Sequence, residues 1–190
     1  MNEHLKPVFE VVIPAIENAG IPYWVYGGVA IAGINETYLR VHPDVDVFVM
    51  DDDYNKTIDL VTQLEKALNW DHADARPQRG RPKREWYVVG KLPRRDIFSV
   101  IAVYRSAERI RFVFRHDFVP NSILTSEARR INGYSFGSPS IELLKELLID
   151  KSNEKDLTRH RRKKLKIDAK VLMPEDEYRQ FCSRLDSSDK

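Results

Sequence analysis

The stretch that decides the fold is residues 23–50, YWVYGGVAIAGINETYLRVHPDVDVFVM. One apolar run ends at Gly27-Gly28, and a second carries Asp44 and Asp46 with one residue between them. This pattern predicts a strand, a glycine turn, a short helix and a second strand. Side chains at i and i+2 of a strand lie on one face, with Cα atoms about 6.6 Å apart. The two carboxylates therefore face the same way, at a spacing that suits oxygen ligands of hard divalent cations.

The composition favours one well-packed domain, or one domain with a small appendage. The chain has 190 residues, of which 42% are apolar and 32% charged, and its net charge is +2. A total so near neutrality does not by itself indicate a nucleic-acid-binding protein. Cys182 is the single cysteine, so no internal disulfide is expected. The sequence lacks both a membrane-spanning apolar run and a recognisable secretion signal, which predicts a cytoplasmic protein without membrane contact.

Periodicity divides the N-terminal part into helices and strands. A helix is predicted over about 4–19, and Pro14 should kink or split it because proline removes a hydrogen bond in mid-helix. The other elements predicted are a helix at 29–34, a helix at 54–68 capped by Asp51–Asp53, and strands at Tyr23–Tyr26, Val45–Val49, Trp86–Val89, Ile97–Tyr104, Arg109–Phe114 and Tyr134–Phe136. Short links join the strands Trp86–Val89, Ile97–Tyr104 and Arg109–Phe114, so these three should pair antiparallel.

Helices dominate the C-terminal part. Ser138-Pro139 predicts a helix start, a capping hydroxyl followed by proline, and this helix should run to about Lys151. A second amphipathic helix is predicted near 156–172, followed from Pro174 by a polar tail that is expected to fray at Ser187–Lys190. The domain organisation predicted is a core at 1–137 with a C-terminal helical segment, 138–190, packed on it.

The chemistry that the sequence suggests is phosphoryl transfer. Asp44 and Asp46 would repel each other strongly on an apolar strand unless a cation neutralises them. Two divalent ions can flank the attacking and leaving oxygens of such a reaction. Gly27-Gly28 would let the backbone approach an anion at a helix start, although the glycines read alone favour a plain tight turn. Asp96, at the head of a strand, is the candidate third carboxylate and general base; a surface ion pair is its alternative.

These residues resemble the signature of the DNA polymerase β-like nucleotidyltransferase superfamily. The resemblance rests on Gly27-Gly28 after an apolar strand, the small-residue helix, Arg40, and the motif from Pro43 to Phe48, PDVDVF. It is specific from about Tyr23 to Val49 and weaker through Asp96, and the most similar branch is the minimal, antibiotic-modifying and toxin–antitoxin-associated type. Many relatives have Gly-Ser where this chain has two glycines, which removes one hydroxyl contact.

The resemblance implies an α+β fold, a mixed β-sheet flanked by helices. It also implies transfer of a nucleoside monophosphate from a nucleoside triphosphate to a hydroxyl, with two Mg²⁺ ions and release of pyrophosphate. Carried onto this chain, it implies the catalytic and metal-binding residues Asp44, Asp46 and Asp96, and the nucleotide-binding residues Gly27, Gly28, Arg40, Lys145 and Lys151. The acceptor stays open between a small molecule, an RNA end and a protein hydroxyl. The alternative is a catalytically silent relative that binds nucleotide or a helical protein partner, as in a toxin–antitoxin pair.

Two basic segments, 76–84 and 159–164, are candidates for binding RNA or phosphate. Each read alone is more typical of a solvated surface. His42, His72, His116 and His160 show no ligand spacing, so no metal is assigned to them.

Overall fold

A mixed sheet forms the centre of the computed structural model, which describes residues 2–68, 70, 72–74, 86–91, 95–112, 117–154 and 157–187. Its strands are β1 (Tyr23–Tyr26), β2 (Val45–Met50), β3 (His72–Asp74), β4 (Trp86–Lys91), β5 (Arg95–Ser106), β6 (Arg109–Phe112) and β7 (Val119–Pro120). The order is β1-β2-β5-β4-β3, and β6 and β7 extend it from the far half of β5. Among the described strands of this sheet, only β2 and β5 pair parallel. The sheet is therefore mixed, as predicted.

The sequence explains why β2 is central. Val45, Val47 and Val49 are fully buried on one face, and β-branched residues suit a strand covered on both sides. On the other face Phe48 is also fully buried, and its ring stacks on Tyr26 with ring centroids 3.9 Å apart. The strand predicted here is confirmed, but both of its faces are covered, and within it only Asp46 remains half-buried.

Helices cover the sheet: α1 (Ile13–Asn18), α2 (Gly27–Ile34), α3 (Asp51–Leu68), α4 (Ile141–Ser152), α5 (Arg159–Leu172) and α6 (Glu175–Ser187). Two further strands, β8 (Glu127–Ile131) and β9 (Tyr134–Ser138), form a separate antiparallel hairpin. The short helix α2 contacts β1, β2 and β8, and also α4 and α5. Through α2, the C-terminal helices reach the end of the sheet that carries the acidic pair. Among the described residues, no helix combines the length and apolarity needed to cross a membrane.

The helix expected to kink or split at Pro14 continues through it, and what changes there is the hydrogen-bond pattern. A π-helical turn, Val8–Val12, leads into α1, and the Ile13 N–H bonds to the Val8 carbonyl. Pro14 lies in the first turn of α1, where a missing N–H is tolerated. A single turn (Glu3–Leu5) of 3-10 type precedes these elements.

Three predictions about helix ends were wrong. The cap of α4 is Ser140, whose Oγ accepts a hydrogen bond from the Leu143 N–H, whereas Ser138 is the buried last residue of β9. Pro139 therefore precedes the cap instead of following it. The acids of 51–53 form the first turn of α3 rather than a capping loop, where their charge favours the positive helix end.

The tail predicted to be polar after Pro174 folds as a helix, and residues 188–190, where fraying was expected, lie outside the described residues. This helix is α6, in which Phe181 and Leu185 are buried and Tyr178 packs partly against the core. Their spacing of three and four residues is an apolar stripe that the many charged residues of this helix obscure in the sequence. The predicted basic loop at 76–84 lies outside the described residues.

Candidate active site

The glycine turn brings the start of α2 beside the acidic pair. β1 ends at Tyr26, and Gly27 has φ +73°, a left-handed conformation that glycine adopts without strain. A Cβ on Gly27 would lie 3.5 Å from Asp46 Oδ2. Tyr26, the residue before α2, makes no side-chain hydrogen bond to the first turn, so no side chain caps the first N–H groups of this helix. The turn thus places helix N–H donors next to a carboxylate.

Asp44 and Asp46 border the same cavity, whose volume is about 240 Å³. Asp46 pairs with Tyr26 on β1 and with Ser99 on β5. The Tyr26 phenol is fully buried beneath the acids, and its pKa is raised well above 10, first by burial and then by Asp46 and Asp44. Two negative charges and a neutral phenol therefore share this end of the sheet.

Gly28 provides space for the side chains of the loop that precedes the acids. A Cβ at this position would lie 2.1 Å from Arg40 Nη2 and 2.8 Å from His42 Nδ1. No side chain fits there without displacing one of these groups. The missing side chain of Gly28 thus leaves room for an arginine and a histidine from residues 35–43.

Arg40 is held by a carboxylate on α5. Its Nε donates to Asp168 Oδ1 at 3.0 Å, and its Nη2 donates to Asp168 Oδ2 at 2.7 Å. The two side chains are only 14% and 8% exposed. This bidentate pair connects residues 128 positions apart in the sequence and fixes the guanidinium over Gly28.

The N-terminus fixes the backbone of the same loop. Asn2 Oδ1 accepts the His42 N–H at 2.8 Å, and Asn2 Nδ2 donates to the Arg40 carbonyl at 3.1 Å. The ring of His4 lies 3.1 Å from the Pro43 carbonyl through Nε2. The segment leading to Asp44 is thus held from the chain start and from α5.

His42 is a buried histidine that stays neutral. It is 2% exposed, and burial, with smaller contributions from the nearby charges of Arg40 and Lys164, lowers its pKa to about 3. Its Nε2 has no hydrogen-bond partner among the described residues. It lines the cavity, so it adds an uncharged polar group to the acids and cations there.

Cations from the C-terminal helices complete the wall opposite the acids. Lys151, Arg161 and Lys164 line the cavity, and Arg161 also pairs with the exposed Glu154 at 2.9 Å. The pKa of Lys164 is lowered, first by burial and then by Arg40, while Asp44 and Asp168 act in the opposite direction. The charge of Lys164 therefore interacts with those of Asp44 and Asp168. The remaining wall is apolar and consists of Val29, Ile31, Leu144, Leu147, Leu148, Leu157 and Leu165.

Several residues predicted from the sequence meet in this one cavity: Gly27, Gly28, Arg40, Asp44, Asp46 and Lys151. Lys145 does not line it; it forms an ion pair with Glu177 of α6. Sequence reasoning missed His42 and Asp168, and it considered Lys164 only as part of a basic segment. Helical periodicity could have predicted that Lys164 and Asp168 lie together, because residues 161, 164, 165 and 168 share one face of a helix.

Asp96 lies on β5 opposite Gly90, two residues before the first β5 residue that pairs with β2. Its side chain is outside the described part of the structure, so its role as third carboxylate stays a prediction. The residue that lies beside Asp46 in the parallel register is Ser99, which is 2% exposed.

The acidic pair fits a magnesium ion. Mg²⁺ commonly binds through one or two carboxylates, with substrate phosphates and water completing its octahedron. Asp44 and Asp46 provide two half-buried carboxylates beside an open cavity, and the missing Cβ of Gly27 leaves space next to Asp46 Oδ2. Within the described ranges no group of three or more acidic, histidine or cysteine side chains could hold a metal without a ligand's help.

Comparison with known proteins identifies the fold. No family model and no curated protein matches the chain. Among solved structures, ANT(2″)-Ia in complex with adenylyl-2″-tobramycin matches 98% of this chain and 99% of its own, with 13% identity and TM-score 0.60. The lincomycin-bound lincosamide antibiotic adenylyltransferase LnuA matches 87% and 96%, with 15% identity and TM-score 0.57.

An antigenic nucleotidyltransferase-like protein from Paracoccidioides brasiliensis matches 97% of this chain and 84% of its own, with 18% identity and TM-score 0.53. These likenesses extend over nearly the whole chain. The α+β fold predicted from the resemblance is therefore confirmed as the fold of nucleotidyltransferases.

Proposed function

We propose that this protein is a magnesium-dependent nucleotidyltransferase that moves a nucleoside monophosphate from a nucleoside triphosphate to a hydroxyl group. The observation that carries the proposal is the single cavity shared by Asp44, Asp46 and the uncapped start of α2. A carboxylate pair, helix N–H donors and cations are the groups that bind a metal–triphosphate complex. The fold, shared with antibiotic adenylyltransferases, supports the same class of reaction.

Three kinds of groups would bind the triphosphate: backbone N–H groups, cationic side chains and apolar side chains. The first N–H groups of α2 would hold phosphate oxygens, because the glycines allow close backbone approach. Arg40, beside Gly28, and Lys151 and Lys164 of the C-terminal helices would neutralise the remaining phosphate charge. The leucines of α4 and α5 would exclude water from one wall, which strengthens these electrostatic contacts.

The transfer itself is a substitution at the α-phosphorus. The acceptor oxygen forms a bond to this phosphorus, the bond to the bridging oxygen of the β-phosphate breaks, and pyrophosphate leaves. The acceptor proton passes to a base, for which Asp96 is the predicted residue. Magnesium ions, when bound to Asp44 and Asp46, would supply charge neutralisation at the phosphates.

The acceptor proposed first is a small molecule. The solved structures that share the fold include a complex with adenylyl-2″-tobramycin and one with lincomycin. An RNA end and a protein hydroxyl stay as alternatives, and the exposed residues Arg159 and Lys163 at the start of α5 would suit an anionic acceptor.

The test is transfer of label from an α-³²P nucleoside triphosphate mixture. The full chain is incubated with Mg²⁺ and, in separate reactions, aminoglycosides, lincosamides, bulk RNA or no acceptor. Wild type should label one class of acceptor, and Asp44→Asn and Asp46→Asn should abolish labelling. Asp52→Asn, an exposed acid of α3, is the matched control and should keep full activity. Transfer that persists in Asp44→Asn and Asp46→Asn contradicts the proposal.

A second candidate function is nucleotide binding without transfer. It is favoured by Ser99, because a serine and not a carboxylate lies beside Asp46 on the neighbouring strand. This reading expects nucleotide to bind while no acceptor becomes labelled, and it expects Asp96→Ala to leave binding unchanged. Loss of transfer in Asp96→Ala with retained nucleotide affinity favours the enzyme instead.

A further inference from the structure

Asp168 is the buried acid that the proposed chemistry leaves without a task. It lies on the inner face of α5, is 5% exposed, and belongs to the lining of the cavity. Its two oxygens accept from Nε and Nη2 of Arg40. A carboxylate so close to a phosphate-binding site would by charge alone repel a triphosphate, so its presence there needs an explanation.

Stability is a weak explanation for this pair. Desolvating two charges offsets most of their attraction, and well-packed apolar residues commonly replace such a pair at no cost. An apolar pair could also hold the loop against α5. What it could not do is keep a cation aligned over Gly28, where the guanidinium fills the space of a missing Cβ.

The ion pair with Asp168 uses only some of the N–H groups of Arg40. A guanidinium has five N–H groups in a rigid fork. Asp168 takes two of them, and a third points to the Val41 carbonyl, where the Nη1–oxygen distance is 3.4 Å. Within the described part of the chain, the other two N–H groups of Arg40 have no hydrogen-bond partner. They remain for a ligand at the start of α2.

We propose that Asp168 is a positioning residue for phosphate binding. It aligns the Arg40 guanidinium above Gly28, so that the remaining N–H groups meet a phosphate held by the first turn of α2. The inference rests on the proposed function, because it assigns Asp168 a part in nucleotide binding at the same site. Asp168 itself touches Arg40 and not the phosphate.

For Asp168→Asn, the loss of charge and the loss of positioning predict opposite changes in affinity for phosphate. Removing a negative charge beside Arg40 and Lys164 would by Coulomb attraction tighten the binding of an anion. Releasing the guanidinium instead weakens it, because an unaligned arginine loses charge-assisted hydrogen bonds to the phosphate. We expect weakening of about tenfold, the scale of one such bond.

The experiment measures affinity of the full chain for magnesium tripolyphosphate by isothermal titration calorimetry. This probe carries the triphosphate without a base, so the unknown nucleotide does not matter. Asp168→Asn should bind about tenfold more weakly than wild type. Asp186→Asn removes an ion pair with Lys166 elsewhere on α5 and should bind as wild type does. Circular dichroism and thermal melting verify that each variant is folded.

A double-mutant cycle separates positioning from a merely structural role. In an Arg40→Ala background, Asp168→Asn should no longer weaken binding, because there is no guanidinium to align. Continued tenfold weakening in that background overturns the proposal, as does unchanged or tighter binding by Asp168→Asn alone. If Asp168→Asn does not fold, Arg40→Lys replaces it, since lysine keeps the charge without the bidentate fork and should bind more weakly. Wild-type affinity in Arg40→Lys overturns the proposal.

The result also separates this inference from the proposed function. A folded wild type that fails to bind magnesium tripolyphosphate overturns the function and the inference together. Binding by wild type that Asp168→Asn leaves intact overturns only the role of Asp168.

Discussion

Replacing Gly28 by alanine should destabilise this protein, although the same change usually stabilises a helix. Gly28 lies in the first turn of α2, and its φ is outside the left-handed region. Helix propensity alone would therefore favour alanine by about 0.5–1 kcal/mol. The new Cβ, however, would lie 2.1 Å from Arg40 Nη2 and 2.8 Å from His42 Nδ1, far inside van der Waals contact.

The size of the effect follows from which group has to move. His42 is enclosed, so the guanidinium of Arg40 must leave its position and its bidentate contact with Asp168. Losing hydrogen bonds between charged groups costs about 1.5–3 kcal/mol. After subtracting the propensity gain, we expect the free energy of unfolding to fall by about 1–2 kcal/mol. For a chain of this size that lowers Tm by about 2–8 °C.

The assay is urea unfolding followed by fluorescence, with the tripolyphosphate titration run in parallel. Gly28→Ala should lose both stability and phosphate affinity. Gly20→Ala is the control: its φ is +65° and its Cβ would meet nothing within 4 Å, so it should lose stability through backbone strain and keep the affinity. A Gly28→Ala variant that is more stable than wild type would refute the reasoning.

Two further predictions concern the loop before the acids. Because the pKa of His42 is about 3 when folded and near 6.5 when unfolded, the unfolded chain binds the extra proton between these pH values. The contribution of His42 to the free energy of unfolding therefore falls on acidification, by up to about 1.4 kcal/mol per pH unit. In urea unfolding from pH 7 to 4, His42→Gln should make the free energy of unfolding depend less steeply on pH. An equal slope in wild type and variant contradicts this. Asn2→Ala removes the partners of the His42 N–H and the Arg40 carbonyl, so unfolding experiments should show a loss of about 1–3 kcal/mol. Asn2→Asp keeps the acceptor and should lose less; equal losses would argue against the double contact.

Local patterns were sufficient for β1, β2, β4, β5, β6 and β9, whereas β3, β7 and β8 were not predicted. The common face of Asp44 and Asp46 stays a prediction, because side-chain direction follows sequence parity only within a strand and Asp44 lies one residue before β2. Gly27 was found by the same local reasoning, since a strand that turns directly into a helix favours a residue of positive φ. Helix ends were less predictable: Ser138 and Ser140 are both acceptable caps, and the length of β9 chose between them.

Local sequence patterns were enough to predict β1, α2 and β2, which carry their own periods, and to single out Asp44 and Asp46 at the start of β2. Only the tertiary structure decided which distant groups meet them. The contact of Arg40 with Asp168, the space above Gly28 and the arrival of Lys164 depend on how α5 packs on α2. Chain separation hides such contacts, because no local period links residues 40 and 168. The packing of α5 on α2 brings the helix that carries Asp168 beside the loop that carries Arg40.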